Sequence, residues 1–214
     1  MTSTKVKICG LTNAGHVTAA LDAGADFIGF MNFALSPRHI APKDARPLAL
    51  LVAERAKTVS IMVDPDDAMV AEVLADLQPD YIQLHGSETP DYCAALRARG
   101  VGVIKAFGVS QSSDLDQIYP YLGSVDMILF DAKPPPSEAI TGGLGHVFDW
   151  TILEGFHLPV PWFLSGGLTV ANVAHALDVT GAKMVDVSSG VERARGLKDD
   201  ALIAAFMAAV KTDR

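Results

Sequence analysis

Residues 5–31, KVKICGLTNAGHVTAALDAGADFIGFM, contain the pattern that decides the fold class. The apolar run Lys5–Cys9 predicts a strand, Asn13 opens a helix that Gly24 ends, and Phe27–Met31 predicts the next strand. Both runs are mostly apolar on both of their alternating sets of positions, which is typical of parallel strands buried on both faces. This stretch therefore predicts one strand–helix–strand unit of a parallel sheet.

The same alternation continues to the end of the chain. Further apolar runs predict six more strands: Thr58–Val63, Tyr81–His85, Val103–Val109, Met127–Asp131, Trp162–Ser165 and Met184–Val187. Helix signals lie between them: Thr89 and Pro90 open a helix that Gly100 stops, Thr169 opens one that ends near Gly181, and the last runs from about Asp199 to Lys211. Eight strands, each followed by a helix or helical turn, predict an α/β fold, a single (β/α)8 TIM barrel with residues 1–214 as one domain.

Composition narrows the class of protein. Half of the 214 residues are hydrophobic and a fifth are charged, which is enough for a large core. The net charge is −8 and no basic cluster is present, so we expect neither nucleic-acid binding nor an anionic membrane surface. The sequence contains neither a P-loop nor a G-x-G-x-x-G motif after a strand, so nothing in it supports nucleotide binding.

Cysteine and histidine usage points to a reducing compartment and to no metal. Cys9 and Cys93 have neither zinc-ligand nor disulfide spacing, and Cys93 fits the core of its helix. No two histidines have ligand spacing on one helix face. Residues 1–5 lead directly into the first strand without a signal-peptide pattern, and no run is long enough to span a bilayer, so a cytoplasmic location is expected.

The carboxyl ends of the strands meet at one mouth of a barrel, where this fold keeps its chemistry. Cys9 ends the first strand and places a thiol there; the alternative is a buried cysteine that only packs. Asp131 ends the sixth strand after an apolar run, where partial desolvation suits a general acid. The alternative for Asp131 is a carboxylate that caps the following turn.

Small residues follow the last two strands. Gly166 and Gly167 come after the seventh strand, and Ser188, Ser189 and Gly190 come after the eighth. These are the loops with which the fold commonly binds phosphate through backbone N–H groups. Plain strand-to-helix turns also favour glycine and serine. Two such loops in succession favour a phosphate site and hence a small phosphorylated substrate.

Three more polar residues belong to the same mouth. Arg38, in the loop after the second strand, suits a carboxylate or phosphate, although a surface ion pair is the alternative. Asp186 lies inside the eighth strand, where a charge needs a partner or a role. His85 is the one histidine expected to face the mouth.

Several segments taken together resemble the phosphoribosylanthranilate isomerase family of tryptophan biosynthesis. The resemblance runs from residue 5 to about residue 211. The segments that carry it are Lys7–Thr12, Ser36–Arg38, Gln83–Gly86, Phe148–Trp150, Ser165–Leu168 and Asp186–Glu192.

The resemblance implies an Amadori rearrangement of N-(5-phosphoribosyl)anthranilate to an aminodeoxyribulose phosphate, without a cofactor. It implies that Cys9 takes the proton from C2 of the ribose and that Asp131 protonates the ring oxygen. Arg38 would hold the anthranilate carboxylate, and Asp186 would lie near the reacting hydroxyls. The phosphate would be held by Gly166, Gly167, Ser188, Ser189 and Gly190.

Two segments depart from the family pattern: Gly142–His146, inside the long irregular stretch Lys133–Val147, and Met31–Phe33 before Ser36. A loop as long as Lys133–Val147 is usually functional or mobile. The nearest alternative is a histidine-pathway sugar-phosphate isomerase of the same fold, whose first strand carries an aspartate where this chain has Cys9. A ribulose-phosphate epimerase is a weaker alternative, because this sequence lacks the metal-binding His and Asp positions that such an enzyme needs. A non-catalytic phosphate sensor would need no acid–base pair.

Overall fold

A computed structural model describes residues 4–133 and 147–211 of the chain. Its eight parallel strands close into a barrel in sequence order, with β8 pairing back to β1. All eight predicted strands are confirmed, with ends that differ by at most one residue. The strands are β1 Lys5–Cys9, β2 Phe27–Met31, β3 Lys57–Met62, β4 Tyr81–Leu84, β5 Gly102–Val109, β6 Met127–Ala132, β7 Trp162–Leu164 and β8 Met184–Val187.

Helices cover the outside of the barrel. They are α1 Ala14–Asp22, α2 Pro42–Val52, α3 Asp67–Glu72 with a wider turn over Val73–Leu77, α4 Pro90–Arg97, α5 Val173–Thr180 and α6 Asp200–Lys211. The side chains of Asn13 and Thr89 cap α1 and α4, as their sequences predict. Tight 3₁₀ turns, Ser112–Tyr121 and Trp150–Leu153, stand in the places of longer helices after β5 and β6.

The prediction that α5 opens at Thr169 is wrong, because the helix begins at Val173. The reason is the side chain of Asn172. Its Oδ1 accepts from the backbone N of Thr169 at 2.7 Å, and its Nδ2 donates to the carbonyl of Gly167 at 3.0 Å. These bonds hold residues 167–172 as a turn, and the helix follows it.

Three aspartates close the end of the barrel opposite the mouth. Each stands just before an even-numbered strand, and its carboxylate accepts the backbone N–H of the second residue of the strand before it. The pairs are Asp26 with Val6 at 2.9 Å, Asp80 with Thr58 at 2.8 Å and Asp126 with Val103 at 2.8 Å. Each bond satisfies a strand-end donor that has no partner in the barrel ladder.

A short hairpin follows β8 and crosses towards the loop after β2. It consists of β9 Glu192–Ala194 and β10 Leu197–Lys198. At its turn, Gly196 has a φ of +79°, and a Cβ there would lie 2.8 Å from the carbonyl oxygen of Pro37. This close approach fixes the hairpin beside the loop that carries Arg38. In the described ranges, no helix is both long and apolar enough to cross a membrane.

Candidate active site

One cavity occupies the mouth at the carboxyl ends of the strands, and it gathers almost all of the residues singled out from the sequence. Gly190 does not line it; a Cβ on Gly190 would collide with the carbonyl of Leu168, so this glycine packs behind the loop. The predicted residues that do line the cavity are Cys9, Arg38, His85, Asp131, Gly166, Gly167, Asp186, Ser188 and Ser189.

Cys9 lies at the end of β1 with its side chain inside the barrel. Gly29 stands beside it on β2, and a Cβ at that position would lie 3.2 Å from the Cys9 Sγ. Burial raises the pKa of the thiol above its ordinary value, and the charge of Lys7 is the largest effect that opposes this. The thiol is therefore the resting form at neutral pH.

Lys7 is fully buried inside the barrel, on the same side of β1 as Cys9. Its Nζ lies 2.9 Å from Oδ1 of Asp186, and Oγ of Ser165 lies 3.3 Å from Oδ2 of the same carboxylate. Burial is the largest single effect and lowers the pKa of Lys7, but the charges of Asp186 and Cys9 and the hydrogen bonds to them together outweigh it and raise that pKa. Lys7 is thus the partner that the buried carboxylate of Asp186 needs. Asp186 in turn holds the ammonium of Lys7 next to the thiol of Cys9.

Asp131 is the penultimate residue of β6, and its side chain lines the cavity. Oδ1 accepts the backbone N–H of Ala132 at 2.9 Å. One of the two carboxylate oxygens therefore does cap the following turn, as the alternative interpretation predicts. Oδ2 lies 3.4 Å from Nε2 of His85. The carboxyl group therefore has one oxygen anchored and one beside an imidazole that can exchange protons with it.

Arg38 is buried, and its guanidinium pairs with Glu192: Nε lies 2.7 Å from Oε1, and one terminal nitrogen lies 2.9 Å from Oε2. The ion-pair alternative thus holds, although the pair lies inside the mouth and not on the outer surface. Gly10, with a φ of +77°, makes room for this side chain, since a Cβ there would lie 2.7 Å from the Arg38 Cδ. Glu192 fixes the plane of the guanidinium at the cavity wall.

Lys198 joins this pair to the loop after β8. Its buried Nζ donates to Oε1 of Glu192 at 2.8 Å, to the carbonyl of Ser188 at 2.8 Å and to the Ser188 hydroxyl at 3.1 Å. Although burial acts to raise it, the pKa of Glu192 is about 2, because Arg38 and Lys198 both stabilise its carboxylate. Burial lowers the pKa of Lys198 against the pull of Glu192.

The loops after β7 and β8 have the features of an anion site. Gly166 and Gly167 have φ angles of +84° and +62°, and a Cβ on Gly166 would lie 2.5 Å from the backbone N of Ala132. Neither glycine N–H donates to any atom in the part of the chain that the structure describes. Two consecutive backbone N–H groups of this kind can both donate to one bound anion. The hydroxyl of Ser188 donates to the carbonyl of Cys9 at 3.2 Å, so this anion site adjoins the thiol.

Sequence reasoning assigned no role to several residues of this site. Lys198 and Glu192 form its buried ion network, and Arg195 on the hairpin and Gln83 on β4 line the cavity. The signal for Gln83 was its place inside an otherwise apolar strand, two residues before His85. Within residues 4–133 and 147–211, no group of three or more His, Cys, Asp or Glu could hold a metal ion. The segment Gly142–His146 lies outside the described residues.

Comparison with known proteins places this geometry in context. A family model described as N-(5'-phosphoribosyl)anthranilate (PRA) isomerase matches residues 6–209. An N-(5'-phosphoribosyl)anthranilate isomerase of Caulobacter sp. (strain K31) is 49% identical over 97% of this chain and 98% of that protein. One of Azorhizobium caulinodans is 51% identical over 97% and 91%.

Solved structures agree. The phosphoribosyl anthranilate isomerase of Thermotoga maritima superposes with a TM-score of 0.88 at 35% identity, covering 97% of this chain and 98% of that one. A phosphoribosyl anthranilate isomerase in complex with reduced 1-(o-carboxyphenylamino)-1-deoxyribulose 5-phosphate has a TM-score of 0.85 at 33% identity, with the same coverage.

Proposed function

Because this chain belongs to the N-(5'-phosphoribosyl)anthranilate isomerase family, we propose that Cys9 and Asp131 are the base and the acid of its reaction. The chain isomerises N-(5'-phosphoribosyl)anthranilate to 1-(2-carboxyphenylamino)-1-deoxyribulose 5-phosphate, an aldose–ketose isomerisation of tryptophan biosynthesis. The observation that carries the assignment of the two residues is that both line one cavity, beside the anion site. Family membership sets aside the histidine-pathway and sensor alternatives.

The first step opens the sugar ring. Asp131 gives its proton to the ring oxygen while the C1–O bond breaks and the nitrogen lone pair forms an iminium. The carboxylate left behind keeps the N–H of Ala132 as a hydrogen-bond donor. His85, 3.4 Å from the other oxygen, is placed to return a proton to Asp131 for the next turnover.

The second step moves the C2 proton. The iminium makes that proton acidic, and the thiolate of Cys9 takes it while the C–H electrons form the C1=C2 bond and neutralise the nitrogen. The resulting enolamine tautomerises to the aminoketone. Because the pKa of Cys9 is raised by burial, the reactive form is a minority species, and Lys7 is the cation that increases its share. These steps are complete with acid–base groups alone, so we propose that the enzyme uses no cofactor and no metal.

The two charged ends of the substrate bind to different groups of residues in the cavity. The phosphate fits the N–H groups of Gly166 and Gly167 together with Ser188 and Ser189, while Gly190 keeps the loop close-packed behind them. Arg38, oriented by Glu192, holds the carboxylate of the anthranilate ring. Asp186 lies next to the reacting hydroxyls.

We also propose one domain and a cytoplasmic location. The proposed site takes side chains from β1, β4, β6 and β8, so it needs the whole barrel and not a part of it. Cys9 and Cys93 are both free thiols, and a base of this kind needs the reducing conditions under which thiols persist.

The reaction is tested by mixing the purified protein with freshly prepared N-(5'-phosphoribosyl)anthranilate and following the loss of its fluorescence. We expect rapid loss that is unchanged by a chelator. No loss beyond the spontaneous rate would refute the function, and inhibition by the chelator would refute the metal-free chemistry.

Replacing Arg38 with alanine is expected to raise KM more than it lowers kcat. A hydrogen bond to a charged group contributes about 1.5–3 kcal/mol, which corresponds to roughly a ten- to hundredfold weaker substrate binding. Arg55→Ala is the matched control, because Arg55 forms an exposed ion pair with Asp22 and does not line the cavity. A loss confined to kcat in the Arg38 variant would place this residue in the chemistry instead.

A further inference from the structure

Gln83 is a buried amide in the interior of the barrel. Its side chain is 2% exposed, and its register partners are Ile61 on β3 and Ile104 on β5. Both partners belong to the apolar cluster that fills the barrel interior. An amide at this position interrupts that cluster, where leucine or methionine fills the same space without a polar group.

The amide oxygen of Gln83 has no hydrogen-bond partner among the described residues. The other polar groups at this depth are satisfied: Lys7 and Ser165 both contact Asp186. An unpaired buried acceptor costs free energy, so the fold alone gives no reason for glutamine here. The cavity supplies one, because Gln83 lines it.

We propose that Gln83 is a substrate-binding residue that hydrogen-bonds a hydroxyl of the sugar at the floor of the cavity. His85 follows two residues later, just past the end of β4, so both side chains point inward, with His85 nearer the rim and Gln83 deeper. Asp131 and His85 therefore lie above the amide, while the anion site and Arg38 hold the two charged ends elsewhere. The part of the substrate left for Gln83 is the polyol between those ends.

An amide suits this position chemically. It offers both an acceptor and a donor to a hydroxyl, and rotation about its last bond exchanges the two. It also stays neutral when Cys9 and Asp131 change protonation, so its contact with the substrate persists through both steps. This inference rests on the proposed function and adds a contact that holds C2 against Cys9.

The test is Gln83→Leu, which removes the amide and keeps the volume nearly constant. We expect kcat/KM to fall at least tenfold, and the affinity for the reduced aminoketone product analogue to fall with it. Inhibition by inorganic phosphate, which lacks hydroxyl-bearing carbons, is expected to stay unchanged. The melting temperature is expected to hold or rise, because an unpaired polar group leaves the core.

Trp150→Phe is the control. Trp150 Nε1 is likewise buried without a hydrogen-bond partner in the described ranges, but its side chain does not line the cavity. Its removal is expected to leave the kinetic constants unchanged. Gln83→Met repeats the test with an unbranched side chain in case leucine disturbs folding.

Three outcomes overturn proposals, and they are distinguishable. Wild-type kcat/KM and analogue affinity in both Gln83 variants would refute the sugar contact. An equal loss of phosphate affinity would show general disruption of the site and would also refute it. An inactive wild-type protein would refute the proposed function itself.

Discussion

Asp131→Asn is expected to lower kcat by at least about a hundredfold, the usual contribution of a general acid. Asparagine keeps the shape of the side chain and can still accept the N–H of Ala132, so the loop after β6 retains its anchor. What it loses is the proton that the departing ring oxygen needs. The measurement is the initial rate of fluorescence loss at saturating substrate.

Asp126→Asn is the matched control, since this aspartate lies at the opposite end of β6 and does not line the cavity. Its carboxylate accepts the N–H of Val103 and pairs with Arg97 at 2.9 Å. We expect Asp126→Asn to lower the melting temperature and to leave kcat intact. Near-normal turnover in Asp131→Asn would remove Asp131 from the mechanism.

Cys9→Ser is expected to reduce kcat/KM by at least about a hundredfold, because a serine hydroxyl ionises far less readily than a thiol and supplies almost no anionic base at any pH the fold tolerates. The pH dependence provides the sharper evidence. Burial raises the pKa of Cys9, so below that pKa the thiolate fraction grows tenfold for each unit of pH. Both proteins need protonated Asp131, so the thiolate shows in the comparison: from pH 6 to 8 the wild-type log kcat/KM is expected to rise by about one unit more per pH unit than that of Cys9→Ser.

Cys93→Ser is the control for this experiment. Cys93 is buried in α4, where burial raises the pKa of its thiol to about 11, and it does not line the cavity. Its variant is expected to keep both the rate and the pH profile at some cost in stability. If the profile followed Cys93, or stayed unchanged in Cys9→Ser, the base would have to be another group.

The strands were predictable because burial on both faces leaves runs of apolar residues, and such a run indicates its own ends. The start of α5 was not, because Thr169 is a good helix-opening residue by itself. The outcome depends on the side chain of Asn172, which bonds to Thr169 and Gly167 and delays the helix. The helix-opening propensity of Thr169 is overridden by specific hydrogen bonds that form only in the folded loop.

The candidate site divides in the same way. Cys9 and Asp131 were found because the ends of parallel strands converge, and the glycines because anion loops need them. Glu192 and Lys198 were not assigned roles, since Glu192 pairs with Arg38, 154 positions away, and Lys198 acts through its contact with Glu192. A long-range buried ion pair has no signature in a single sequence.

The three aspartates at the far end of the barrel bear on how this scaffold can be re-engineered. Asp26, Asp80 and Asp126 each tie one pair of neighbouring strands together without using any residue of the mouth. Directed-evolution libraries that randomise the mouth loops and leave these three positions untouched should therefore keep a large share of folded members. The stability provided by these three aspartates offsets the destabilisation that substitutions in the mouth loops cause.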